Sequence, residues 1–183
     1  MKIDYITSNL QKFEEAKHIL PHWDLSQVRI DLPEIQGDRL NITRAKAKDA
    51  LTLLNRPLIV EDVSLNCNAL KGLPGPYVKD FLQKIGANGL AELVHKYSDH
   101  RCQVICTAAY AVPGKEILIF EGIVEGIIVK PRGNLNHGQV SFNPCFQALE
   151  SNKTYGEMSL LEHSKSSMRF IALTKLKHFL EKG

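Results

Sequence analysis

The chain has 183 residues, of which 44% are hydrophobic and 23% are charged, the proportions of an ordinary globular protein that can bury one substantial core. A formal net charge of +3 is too small for a dedicated nucleic-acid-binding protein, and no apolar run is long enough to span a membrane, so we expect neither partner. The four cysteines lack zinc-type spacing and no signal peptide is recognisable, which predicts a cytoplasmic protein with reduced thiols.

The first predicted element is a strand over Lys2–Thr7, where apolar and polar residues alternate. Thr7, Ser8 and Asn9 then offer three capping side chains in front of an amphipathic helix. Lys12 falls in the first turn of this helix, where the macrodipole gives a cation no advantage. The group is typical of an anion site at a helix N-terminus, although an ordinary helix cap explains it as well.

A second strand is predicted over Leu25–Leu32, and Glu34 lies just beyond its end. Glu34 is therefore either a ligand for magnesium, which takes oxygen ligands and few protein carboxylates, or a solvated loop acid. A helix is predicted over Asn41–Leu54. It carries Lys46, whose ammonium group either is solvated or serves an anion.

A buried strand is predicted over Pro57–Val60, and two acids, Glu61 and Asp62, stand where we expect it to stop. Because strand side chains alternate, the two carboxylates must point to opposite faces, so we expect only one of them to be chemically active. The ends of strands are where open α/β sheets bind ligands. The alternative is that both acids cap a following helix.

The segment Gly72–Tyr77 contains two glycines and two prolines, which predicts a tight turn of fixed shape. A helix is expected after it, with Lys79 in the first turn and a stop at Gly86. A short helix is predicted next, over Gly89–Tyr97. Lys79 either extends into solvent or binds an anion.

The second half of the chain predicts two long strands, Cys102–Val112 and Ile117–Val129, that form an antiparallel hairpin. A loop is expected over Pro131–Gly138. The segment Phe142–Phe146 follows, and its two phenylalanines could stack on a base or form the rim of the core. A C-terminal amphipathic helix is predicted to open at Ser166–Arg169.

Cations at helix starts recur along the chain, at Lys12, Lys79 and Arg169. Carboxylates recur just beyond predicted strands, at Glu34 and Asp62. Together they describe a site for a polyanion and a divalent metal, the groups that phosphoryl transfer requires.

The sequence of this chain resembles that of the inosine triphosphate pyrophosphatase family. The matching segments occur in family order over nearly the whole chain: Thr7-Ser8-Asn9 with Lys12, Leu32–Gly37, Ile42-Thr43 with Lys46, Val60-Glu61-Asp62, Gly72–Tyr77 with Lys79, Pro131-Arg132-Gly133, Asn143–Phe146, Thr154–Met158, and Ser167 with Arg169. The Gly-Leu-Pro-Gly-Pro-Tyr run is the most specific of them.

The resemblance implies an ITPase-like or Maf-like α/β fold: a long mixed β-sheet flanked by helices, with two lobes and a central cleft, in one domain spanning 1–183 without a separable linker. It implies a homodimer that hydrolyses ITP, dITP or XTP to the monophosphate and pyrophosphate with Mg²⁺, and so cleanses the nucleotide pool.

The resemblance also implies roles for individual residues. Asp62 and Lys46 would be catalytic, and Glu34 and Asp62 would hold the metal. The triphosphate would contact Thr7, Ser8, Asn9, Lys12, Lys46 and Lys79. The base would contact Phe142, Asn143, His163, Ser167, Met168 and Arg169.

The chain departs from the family pattern mainly in the base-recognition segments. Asn143 stands where the family has aspartate, His163 where it has lysine, and Met168 where it has histidine. Methionine removes a hydrogen bond to the base edge, and such bonds carry large discrimination. We therefore expect retained triphosphate chemistry with altered or relaxed base choice. The alternatives are a nucleotide-binding protein whose catalysis has lapsed and a pyrophosphatase for another modified nucleotide.

Overall fold

A computed structural model describes residues 2–134 and 140–182 of the chain. In this part, seven strands form one mixed sheet and five α-helices accompany it, which confirms the predicted α/β class. The strands are β1 (Lys2–Ile6), β2 (Asp24–Val28), β3 (Leu58–Cys67), β4 (Pro74–Gly75), β5 (Arg101–Ala111), β6 (Leu118–Ile128) and β7 (Phe146–Ala148). The helices are α1 (Leu10–Ile19), α2 (Arg39–Leu54), α3 (Val78–Val94), α4 (Leu160–Ser166) and α5 (Met168–Lys182).

The sheet has the strand order β2-β1-β3-β5-β6-β7, with β4 paired to β3. Strand β1 runs parallel to both β2 and β3, and helices α1 and α2 make the crossovers that parallel pairing requires. In this register Ile6 pairs with Val60. The residues that follow Ile6 therefore lie beside Glu61 and Asp62. This register brings the N-terminus of helix α1 close to the two acids.

The chain divides into two compact units. Unit 1 comprises Met1–Asp62, Cys106–Gly122 and Arg169–Gly183, and unit 2 comprises Val63–Ile105 and Ile123–Met168. A core cluster in unit 1 joins strands β1, β3 and β5 to helix α2; its buried members are Ile6, Ala47, Ala50, Leu58, Val60, Ala109 and Ala111. That 1–183 form a single domain stays a prediction.

Strand β3 corrects the sequence prediction most clearly. It was expected to stop at Glu61, but it continues as far as Cys67, and the segment after it is a short 3₁₀ helix, Asn68–Leu70, that neither acid caps. The two carboxylates are thus strand residues rather than capping residues. The strand continues because Arg169 and Lys12 neutralise the buried Glu61, so the acid does not terminate it.

The remaining elements follow the predictions with shifted ends. Strand β2 stops at Val28 instead of Leu32, and helix α4 and strands β4 and β7 were not predicted. Gly86 interrupts α3 with φ 66° and ψ −178°, so the predicted helix stop there is confirmed. The predicted loop over 131–138 lies outside the described residues from 135 onward. None of the helices in the described ranges is long and apolar enough to cross a membrane.

Two glycines with nearly the same backbone conformation allow a matched test of packing. Gly133 (φ +74°) and Gly114 (φ +73°) both adopt left-handed backbone, but an added Cβ would overlap the Gly156 carbonyl only at Gly133 and would meet nothing within 4 Å at Gly114. Each alanine substitution should cost about 1–2 kcal/mol through the backbone. Gly133→Ala should cost about 1–3 kcal/mol more, through overpacking. Equal losses in urea unfolding would contradict the predicted overlap.

Candidate functional site

The N-terminus of helix α1 carries the first group of predicted site residues. Asn9 caps the helix: its Oδ1 accepts hydrogen bonds from the backbone N–H groups of Gln11 at 2.9 Å and Lys12 at 3.2 Å. Thr7 Oγ1 accepts from the Asn9 N–H at 3.1 Å, and Ser8 is exposed. The structure thus brings Thr7, Ser8, Asn9 and Lys12 together in one polar turn, which in this state is a helix cap.

Glu61 is the centre of a buried ion-pair cluster in unit 1. Its carboxylate accepts hydrogen bonds from the Tyr5 hydroxyl at 2.6 Å and from Arg169 Nε and Nη2, each at 2.8 Å, and it lies 3.1 Å from Lys12 Nζ. The Cys106 thiol donates to it at 3.7 Å. Burial acts to raise the pKa of Glu61, but Arg169 and Lys12 outweigh burial and hold that pKa well below its usual value. Glu61 is therefore an anion at neutral pH.

Arg169 does not present the open cation that the sequence suggested. Its Nη1 contacts Glu15 at 2.6 Å while Nε and Nη2 bind Glu61, and the residue is buried. Every guanidinium nitrogen therefore faces a carboxylate. Two carboxylates thus neutralise the charge of Arg169 in the nucleotide-free chain, and its contact with a nucleotide stays a prediction.

Asp62 belongs to a second cluster, with Lys46 and Glu34. Lys46 Nζ lies 3.0 Å from Glu34 Oε1 and 3.3 Å from Asp62 Oδ1. Because the neighbouring acids in β3 have different partners, the predicted opposite orientation of Glu61 and Asp62 is confirmed. Glu34 is exposed in its loop, whereas the side chain of Asp62 is only 19% exposed.

Burial and charge act in opposite directions on this second cluster. Burial raises the pKa of Asp62, and the charges of Lys46 and Lys12 offset only part of that rise. Burial acts to lower the pKa of Lys46, but Asp62 and Glu34 outweigh it, so the pKa is raised and the ammonium stays charged. The positive charge of Lys12 lowers the pKa of Asp62 as well as that of Glu61, so the two clusters of unit 1 are electrostatically coupled.

The two clusters suggest which residues suit a metal ion. Within residues 2–134 and 140–182, no group of three or more His, Cys, Asp or Glu side chains is arranged to hold one. Glu34 and Asp62 already share one cation and offer hard carboxylate oxygens. Such oxygens suit Mg²⁺, which usually takes one or two protein carboxylates and completes its shell with water and phosphate oxygens.

The predicted base-contacting residues, apart from Arg169, lie in unit 2. Phe142 packs edge-on against Phe146, and Tyr155 meets both Phe146 and His163 edge-on, with the Tyr155 and His163 ring centroids 4.7 Å apart. Phe142 and His163 are 6% and 3% exposed, so in this structure they are part of a buried aromatic row. That arrangement supports the core interpretation of Phe142, and its contact with a base stays a prediction.

The other predicted residues of unit 2 have simpler surroundings. Asn143 is buried, and its backbone carbonyl accepts a hydrogen bond from the Gly156 N–H at 2.8 Å. Ser167 and Met168, at the start of α5, are also buried. Lys79 lies in the first turn of α3, as predicted, and its side chain is exposed.

Three members of the Glu61 cluster, Tyr5, Glu15 and Cys106, were missed at the level of sequence. Glu15 follows Lys12 by three positions on α1, and this spacing places both on one helix face. That signal was available and could have identified Glu15. Tyr5 lies on β1, which neighbours β3, but nothing in its strand pattern distinguishes it from a core tyrosine.

Known proteins resemble this chain over nearly its full length. The model of the Ham1 family matches residues 3–179. This chain belongs to the Ham1 family. The inosine triphosphate pyrophosphatase of Aspergillus fumigatus is 40% identical over 185 residues, covering 100% of this chain and 96% of the relative. The enzyme of the same name from Schizosaccharomyces pombe is 39% identical over 179 residues, covering 97% and 94%.

A solved structure also resembles this Ham1-family chain. A HAM1 protein from Coxiella burnetii superimposes with a TM-score of 0.88 at 22% identity, over 100% of both chains. At this identity the likeness concerns the fold. The resemblance to the inosine triphosphate pyrophosphatase family, predicted from the motifs, is confirmed.

Proposed function

We propose that this chain hydrolyses the non-standard purine nucleotides ITP, dITP and XTP to the monophosphate and pyrophosphate, with Mg²⁺, and thereby cleanses the nucleotide pool. The observation that carries the proposal is full-length similarity at about 40% identity to relatives named inosine triphosphate pyrophosphatase. The geometry of unit 1 supports it, because carboxylates and lysines that suit a metal and a polyphosphate lie together beside a helix N-terminus.

In the proposed site, Glu34 and Asp62 hold the metal ion. When bound, Mg²⁺ would neutralise charge on the phosphate oxygens and polarise the bond that breaks. The fit rests on the chemistry of the two carboxylates, which already bind one cation between them.

The remaining groups of unit 1 bind and orient the substrate. Lys12 and the Thr7-Ser8-Asn9 turn at the start of α1 offer a cation, hydroxyl groups and backbone amides for phosphate oxygens, and Lys46 offers a second cation. Lys79 is proposed to bind the triphosphate as well. Asp62 would accept a hydrogen bond from the attacking water and so orient it toward the α-phosphorus. Orientation by this carboxylate is the catalytic role that we propose for it.

Base selection is proposed to depend on unit 2. Phe142, Asn143, His163, Ser167 and Met168 are the residues concerned, while Arg169 is assigned to the Glu61 cluster in the absence of nucleotide. Asn143 both donates and accepts hydrogen bonds, whereas a carboxylate only accepts them, and Met168 offers no strong hydrogen bond. We therefore propose a base preference that differs from, or is weaker than, an ordinary preference for ITP and XTP.

Assembly and location complete the proposal. A homodimer in the cytoplasm is proposed, without nucleic acid as a partner. Sedimentation velocity of the purified chain tests the dimer. Salt-sensitive binding to DNA or RNA would contradict the last point.

The decisive experiment measures pyrophosphate release from a panel of nucleoside triphosphates with and without magnesium. The panel contains ITP, dITP, XTP, the four standard nucleotides and several modified pyrimidine nucleotides. We expect magnesium-dependent release, fastest from non-standard purines but with a narrower margin than a strict ITP or XTP preference. A strong ordinary preference would refute the altered base choice alone. Nucleotide binding without release from any member would instead identify a binding protein.

A further inference from the structure

Lys46 lies where it must affect any metal ion that Glu34 and Asp62 hold. Its ammonium is in contact with both carboxylates, at 3.0 and 3.3 Å, and its side chain is only 14% exposed. Lys46 therefore links helix α2 to the loop before it and to strand β3, through a largely buried contact with Asp62 and an exposed contact with Glu34.

An ammonium in this position stabilises the two carboxylates in the nucleotide-free protein. Asp62 is largely buried beside another acid, so leaving both anions without a cation would be unfavourable. Lys46 supplies that cation from within the chain. In doing so it uses one oxygen of each carboxylate, and these are the groups that a metal ion would need.

Two cations cannot use the same carboxylate oxygens in the same way. A divalent ion binds such oxygens at about 2.0–2.1 Å for Mg²⁺ and repels a neighbouring ammonium. Lys46 has a flexible four-carbon stem and can move to another anion, and the phosphate oxygens of a nucleotide offer one. Metal binding and nucleotide binding would then favour each other, since coupling between two ligands is reciprocal.

We propose that Lys46 is a placeholder cation, which blocks Glu34 and Asp62 from ligating a divalent metal ion until a triphosphate draws its ammonium away. This inference rests on the proposed function for the identity of the metal carboxylates. It adds that the nucleotide-free protein has a weak affinity for metal and that the ion is bound together with the nucleotide.

The test measures Mn²⁺ binding to the full chain without nucleotide, by electron paramagnetic resonance of the free ion. Carboxylate oxygens suit Mn²⁺ as they suit Mg²⁺. Lys46→Met removes the competing cation, so we expect Mn²⁺ to bind about tenfold more tightly than to the wild-type chain, within the usual range of coupling between two ligands. Lys46→Gln also removes the charge and should shift the affinity in the same direction.

Two variants show whether the effect arises at this site. Lys48→Met removes an exposed lysine from the same helix and should leave Mn²⁺ affinity unchanged. Adding Glu34→Gln to Lys46→Met should abolish the increase in Mn²⁺ affinity. Equal Mn²⁺ affinity in the wild type and both Lys46 variants would overturn the proposal, as would a gain that survives Glu34→Gln.

The measurement is independent of turnover. A chain that releases no pyrophosphate from any nucleotide, yet binds Mn²⁺ more tightly after Lys46→Met, would refute the proposed function and support the placeholder role. A wild-type chain that releases pyrophosphate, but whose Mn²⁺ affinity is unchanged by Lys46→Met and Lys46→Gln, would support the proposed function and refute the placeholder role. Thermal unfolding of each variant confirms that the folded chain is being compared.

Discussion

Asp62→Asn is expected to reduce magnesium-dependent pyrophosphate release by about 10²–10⁴-fold, the usual contribution of a side chain that positions or accepts a proton in the transition state. The amide keeps the shape of the side chain and loses the negative charge that Lys46 and a metal ion both require. Steady-state release of pyrophosphate from ITP, at saturating magnesium, measures the effect.

The same substitution should leave the folded chain intact. Because burial raises the pKa of Asp62 above its unfolded value, its ionised form is less favourable in the folded state, and an uncharged amide should maintain or increase the melting temperature. Asp24→Asn, at an exposed position on β2, is the control and should change neither quantity. Activity close to that of wild type in Asp62→Asn would exclude the proposed role of this carboxylate.

Glu61→Gln should have the largest effect on stability. The substitution removes the carboxylate that Arg169 binds through two nitrogens and leaves a buried guanidinium with Glu15 as its remaining anion. Breaking a buried pair in this way costs about 3–5 kcal/mol. Urea unfolding at neutral pH measures the loss. Glu14→Gln, an exposed neighbour on α1, should stay within about 0.5 kcal/mol of wild type.

The contribution of Glu61 should also depend on pH in a defined direction. Its pKa is lower in the folded state than its unfolded value of about 4.3. The stabilisation is thus fully present above that unfolded value and is lost as the pH falls toward the folded one. The difference in unfolding free energy between wild type and Glu61→Gln should therefore narrow below about pH 4. A difference that stays constant down to pH 2 would contradict the ionised cluster.

Local patterns predicted those elements that local physical chemistry determines. The cap at Asn9, the start of α3 next to Lys79 and the break at Gly86 all appear where the sequence indicated them. Each depends on a capping side chain, a turn or a glycine within a few residues. The predicted end of β3 was wrong because two adjacent acids normally indicate an exposed position. Here Lys46 and Arg169, which are distant in sequence, neutralise them and allow the strand to continue.

The charge pairing of the site could not be derived in this way. Arg169 reaches Glu61 across 108 positions of sequence, and no spacing rule connects them. The predicted pattern of cations at helix starts was present, but it could not show that Lys12 and Arg169 share a single carboxylate. Only the pairing of β1 with β3 and the position of α5 reveal that partnership.

This pairing bears on what happens after the bond is broken. In the Glu61 and Asp62 clusters the charges nearly balance, since three cations face four carboxylates: Lys12, Lys46 and Arg169 against Glu15, Glu34, Glu61 and Asp62. Such a nearly balanced set of partly buried charges attracts a phosphate anion without its counterion only weakly. The cations that we propose to bind the triphosphate are thus largely neutralised by carboxylates while no divalent ion is present, and we expect product inhibition by pyrophosphate to be milder when magnesium is scarce.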